Sequence, residues 1–136
     1  MANVLPPLVL TGTLGELLVQ LRLLQFRVQA APPIKDSGND LVAFHGTTVK
    51  TLQVKTATGR IPTDNRLPEH YDILVLVVLE RTDEALPLDH CRIYLVPRNA
   101  VAATARSEAA LAPYELRHQD AAHSMAFLDQ VFANGP

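Results

Sequence analysis

Tryptophan is absent, cysteine occurs once, and aromatic residues fill only 5 % of the 136 positions. With Cys91 alone no internal disulfide can close, which favours a reducing, intracellular setting. His90 is no ready base for that thiol, because neighbours in a strand face opposite ways. Cys91 therefore reads as a buried structural residue. Long apolar runs are also missing, and none nears the ~20 residues of a membrane helix. No basic residue precedes Arg22, and Pro6-Pro7 interrupts the early apolar run, so a signal peptide is not expected. These features predict a soluble, cytoplasmic protein with no membrane partner. Charged residues are scarce at 19 %, which suggests that part of the surface is covered by another subunit. There is no P-loop, no G-x-S-x-G elbow and no dinucleotide fingerprint. The five histidines are scattered, and His118 and His123 stand five apart, a poor spacing for one helix face. A zinc site is not expected.

What is present is a globular composition, 48 % hydrophobic. A chain of this length buries roughly two-thirds of its unfolded surface and folds without metal or disulfide. One domain over residues 1–136 is expected. Thr13-Leu14-Gly15-Glu16 has the spacing of a capping box, which predicts a helix starting at Thr13. Leu14, Leu17, Leu18, Leu21 and Leu24 follow at helical spacing as its apolar stripe, with Val19 and Leu23 suggesting burial on a second side. Residues 26–30 read as a first strand ended by Pro32-Pro33. Residues 40–44 and 49–56 read as a hairpin across the turn His45-Gly46-Thr47-Thr48. The apolar run 71–79 suits a central strand covered on both faces, 92–97 a further strand, and 119–132 a C-terminal helix. The expected architecture is α/β, with about five strands flanked by helices.

Chemistry gathers around one polar interruption. Gln53 and Lys55 stand two apart in a strand and so share a face, while Leu52 and Val54 can pack on the other. Asp40 begins the partner strand and can approach the same face. One carboxylate, one amide oxygen and one ammonium suit a hard divalent cation such as Mg²⁺ or Mn²⁺. A bound ion would lower the pKa of its water and offset charge growing on a phosphate, with Lys55 orienting or deprotonating that water.

These residues resemble the PD-(D/E)XK nuclease superfamily: Gly15-Glu16 on a leading helix, Asp-Ser-Gly-Asn-Asp-Leu-Val at 36–42, and Leu-Gln-Val-Lys-Thr at 52–56. The Q-x-K form is similar to small group I intron homing endonucleases, and the layout to archaeal Holliday-junction resolvases. The resemblance covers roughly residues 12–80. It implies a restriction-endonuclease-like mixed β-sheet and a divalent-metal-dependent DNA endonuclease that hydrolyses phosphodiesters by metal-activated water. It makes Asp40 the metal-binding aspartate, Gln53 the second ligand, Val54 a carbonyl ligand, Lys55 the catalytic lysine and Glu16 the helix acid. Lys35, Lys50, Arg60 and Arg66 would then lie near phosphate, and two strands of DNA would call for a homodimer or higher homo-oligomer. The sequence departs from the family pattern in lacking a Pro-Asp pair and in having Gln at 53.

Plainer readings stand beside these. Glu16 fits the third position of the capping box, Asp40 an Asx turn, and Gln53 with Lys55 the solvated face of an edge strand. Asp36 is turn chemistry, or a substitute for Asp40 in a shifted register. Net charge is −2, but residues 1–66 hold seven basic against four acidic side chains and residues 67–136 five against ten. A basic half facing phosphate is permitted by that split. The alternative to an enzyme is a catalytically inactive nuclease-fold module for nucleic-acid or protein binding.

Overall fold

The computed structural model describes residues 7–34, 38–80, 86–117 and 119–133. Its centre is one mixed sheet of five strands in sequential order: β1 (Gln29–Ala31), β2 (Leu41–His45), β3 (Thr48–Thr58), β4 (Ile73–Leu79) and β5 (Arg92–Pro97). All neighbouring pairs are antiparallel except β3 and β4, which run parallel from Leu52↔Ile73 to Thr58↔Leu79. Helix α1 (Pro7–Gln25) precedes the sheet; α2 (Arg98–Val101), α3 (Glu108–Leu111) and α4 (Ala121–Ala133) follow it. The α/β class, the hairpin and the central strand stand as the sequence predicts. Among the described residues no helix is long and apolar enough to cross a membrane.

Strand β4 divides the core. All seven of its residues are buried. Ile73, Val75, Val77 and Leu79 face Leu18, Val19 and Leu23 of α1 and Phe127, Leu128, Val131 and Phe132 of α4. Leu74, Leu76 and Val78 face the other way, toward Tyr71, Tyr94, Val96 and Leu111. Period-two alternation explains both clusters, and cover on both faces explains the unbroken apolar run. Helix α4 begins two residues later than expected, after Asp120, whose carboxylate accepts from the His123 N–H at 3.1 Å as an N-cap. His45 ties this helix to the hairpin, 3.0 Å from Asp129 and stacked on Phe132.

Helix α1 corrects two expectations. It starts at Pro7, a residue well suited to the first helical position, so Thr13 lies inside the helix and caps nothing. The buried face is Leu18, Val19, Arg22 and Leu23, whereas Leu17, Leu21 and Leu24 are exposed at 57 %, 45 % and 58 %. The leucine stripe misleads because this helix is apolar nearly all round, and the sheet selects which side is covered. Residues 26–28 are also no strand. They close the helix, with the Phe26 and Val28 N–H groups both donating to the Leu23 carbonyl and Arg27 left-handed at φ 67°. The first strand is thereby delayed to Gln29.

Candidate metal and phosphate cleft

Strand β3 outruns its partner. The ladder with β2 ends at Leu41↔Leu52, while β3 continues to Thr58 beside β4. Main-chain groups alternate sides along a strand, so residues 52 and 54 turn theirs toward β2. Past the end of β2, Asp40 takes over: its Oδ2 accepts from the Val54 N–H at 2.9 Å. The Val54 carbonyl, on the same side of the strand, therefore opens beside Asp40. Continuing the register one step past Leu41↔Leu52 sets Asp40 across from Gln53.

Helix α1 brings in the second carboxyl. Gly15 packs so closely on β3 that a Cβ there would fall 2.8 Å from both Cβ and Cγ2 of Thr56. That approach lowers the next residue, Glu16, onto Asp40. Burial raises the Glu16 pKa first, and the neighbouring Asp40 charge and a hydrogen bond between the two carboxyls raise it further. Glu16 is thus no capping residue, which corrects the alternative reading.

The result is a cleft of about 560 Å³ bounded by α1, β3 and the irregular segment 60–64. Glu16, Asp40, Gln53, Val54, Lys55 and Arg60 all line it. Gln53 Oε1 is buried there with no hydrogen-bond partner among the described residues, as is Thr56 Oγ1. A buried acceptor left unpaired is costly. Among the described residues no three His, Cys, Asp or Glu side chains gather to hold a metal. The available donors are oxygens: two carboxyls, the Gln53 amide and the Val54 carbonyl. An all-oxygen set with few carboxylates matches a hard, partly hydrated cation, so the residues fit such an ion.

Lys55 shares the face of Gln53 and meets a residue that sequence reasoning missed. Its Nζ lies 3.2 Å from Asp64 Oδ2, with the lysine side chain only 15 % exposed. Arg66 grips the same carboxylate from outside, Nε to Oδ1 at 3.1 Å and Nη2 to Oδ2 at 3.2 Å, and its own N–H donates to Oδ1 at 2.9 Å. These bonds to Arg66, then Lys55, hold the Asp64 carboxyl well below the usual range. Arg106, from the α2–α3 segment, donates to the Pro62 carbonyl at 2.8 Å and to the Asn65 side-chain Oδ1 at 3.1 Å, which ties this segment down. The spacing of Asp64 and Arg66 signals an Asx-type turn, but nothing local tells that the turn faces Lys55. Of the other basic residues, Arg60 lines the cleft and Arg66 stands at its margin. Lys50 is buried within β3 and is not among the residues that line the cleft. Lys35 and Asp36 lie outside the described residues, as does His118. Cys91 is buried and free, its sulfur 3.4 Å from the Glu80 N–H, as a structural thiol.

No protein-family model matches the chain, and no curated protein matches it. Among solved structures, that of a bacterial homing endonuclease, I-Ssp6803I, is similar with a TM-score of 0.54 and 18 % identity. The match covers 74 % of this chain and 72 % of that one. The two share a fold, a mixed sheet flanked by helices.

Proposed function

We propose that this chain is a divalent-metal-dependent DNA endonuclease, hydrolysing phosphodiester bonds in the cleft between α1 and β3. The observation that carries the reading is Gln53 Oε1, a buried acceptor without a donor among the described residues, beside the paired carboxyls of Glu16 and Asp40. A Mg²⁺ or Mn²⁺ ion would satisfy all three. Asp40, Gln53 and the Val54 carbonyl would hold it, with Glu16 at the rim of the same cleft. Such an ion supplies positive charge against the charge growing on a phosphate and lowers the pKa of a water. Lys55 orients the attacking water, or takes its proton, and holds a phosphate oxygen. Arg60 and Arg66 attract the nucleic-acid backbone at the cleft margin. The fold shared with a homing endonuclease supports DNA as the substrate class.

A homo-oligomer belongs to the same reading, because cutting two strands calls for two sites. A second groove of about 410 Å³ runs between Leu21 and Leu24 of α1, strand β1 and Phe44. Among the described residues no ionisable side chain lines it, which suits an apolar face of a second copy better than a phosphate backbone. Sedimentation should give a multiple of 14.9 kDa; a monomeric mass at every concentration removes this part.

The central test is cleavage of supercoiled and branched DNA with Mn²⁺. Lys55→Ala should lower the rate at least ~10³-fold, the scale of losing one main transition-state contact, without shifting the melting temperature. A wild-type chain inert on every DNA form ends the enzymatic reading. If Mn²⁺ then gives no heat while DNA is retained in a salt-sensitive way, the non-catalytic module takes its place.

A further inference from the structure

The carboxylate between Lys55 and Arg66 has the charge and the oxygen geometry of half a phosphodiester. Asp64 Oδ2 accepts from Lys55 Nζ and from Arg66 Nη2, both at 3.2 Å, at the mouth of the cleft. One anion thus serves two cations, one recessed and one at the surface: the Lys55 side chain is 15 % exposed and that of Arg66 91 %. We propose that Asp64 occupies the place of a substrate phosphate oxygen, and that nucleic acid binds by displacing it from Lys55 and Arg66. The ligand class rests on the nuclease reading; the exchange itself rests on the three side chains.

The exchange is balanced in charge. A phosphodiester carries one negative charge, as does the carboxylate that leaves, so the two cations are never left bare and no buried charge is stranded. It also requires little movement. Arg106 holds the segment on both sides of Asp64, through the Pro62 carbonyl and the Asn65 side-chain oxygen. Rotation of one side chain, already 34 % exposed, is enough to free the site. Until a phosphate arrives, the lysine on which the chemistry would depend is engaged by the protein's own anion. The segment 60–66 is then a substrate-operated guard: free metal and water meet a lysine that is occupied, and only a bound backbone releases it.

The test measures binding without catalysis. A short oligonucleotide in EDTA, and separately inorganic phosphate, are titrated into the full chain and into Asp64→Asn. The asparagine retains an oxygen for the Arg66 N–H, so the turn survives; Asp64→Ser serves if the melting temperature falls. Removing the competing carboxylate should tighten both ligands roughly fivefold, the upper range for a partly exposed ion pair. The gain should vanish when Asp64→Asn is made in a Lys55→Ala, Arg66→Ala background. Unchanged or weaker binding by Asp64→Asn overturns the exchange. A gain that persists without both cations also overturns it, since that is only a general loss of negative field. A chain that binds more tightly through Lys55 yet cuts no DNA keeps the exchange and loses the nuclease reading. A chain that cuts DNA without any gain loses the exchange alone.

Discussion

Strands β3 and β4 are neighbours in parallel register, yet they serve opposite purposes. Every residue of β4 is buried and apolar, covered by helices on one face and by Tyr71, Tyr94 and Leu111 on the other. The distal half of β3 has Gln53, Lys55 and Thr56 instead, two of them with buried polar atoms that find no partner among the described residues. The difference arises from pairing. β4 has a strand on each side from Ile73 to Val78, whereas β3 loses β2 after Leu52 and has an open flank. Where the ladder is complete, the sequence can be chosen for packing alone. Where it stops, unpaired main-chain groups and polar side chains become available for chemistry, and the fold has to tolerate their cost.

Three substitutions test that division. Leu76→Ala, in the middle of β4, should cost about 2–5 kcal/mol of stability in denaturant titration, leaving DNA cleavage per folded molecule unchanged. A loss of cleavage without a loss of stability would break the contrast. Gly15→Ala sharpens it from the other side. The added methyl meets Thr56 Cβ, which rotation of the side chain cannot move away. Stability should fall by ~1–3 kcal/mol, and Mn²⁺ heat should weaken as α1, and with it Glu16, is pushed off β3. The smallest effect belongs to Glu16→Gln. Glu16 has a raised pKa in the folded protein, so the native state holds its proton more tightly than the unfolded one. Stability is therefore lost as pH rises from the ordinary glutamate range through the folded pKa. The variant escapes this loss and should be more stable than wild type at neutral pH without metal. Partial exposure limits the gain to below ~1 kcal/mol. The two melting curves should converge on acidification; a constant gap would mean that the charge is not the cause.

Much of the site could be read in the sequence because its parts are local. Gln53 and Lys55 share a face by period two, and Asp40 lies one hairpin away, a span that a tight turn fixes. The α/β class followed in the same way from the apolar run at 71–79 and the helical spacing near both ends. Long-range approaches were not legible. Which side of α1 is buried depends on a sheet formed later in the chain, so the exposed Leu17, Leu21 and Leu24 looked like core. The T-x-x-E spacing at Thr13 suited a cap, but the helix had already begun at Pro7. Lys50 was expected near phosphate, and only the packed β3 makes it interior. Asp64 reaches Lys55 across an irregular segment whose path is set by Arg106, far along the chain, and no local pattern reports that.

The bond from the Val54 N–H to Asp40 also guards the open flank of β3 against pairing with another strand. A strand that extends past its neighbour offers donors and acceptors to any passing extended peptide, and such borders are where sheets stack into aggregates. By filling the donor with a charged side chain, Asp40 makes that border unattractive to another backbone. Replacing it with alanine would remove an anion from the cleft and at the same time uncover a sticky margin. Light scattering therefore belongs beside any activity measurement on that variant.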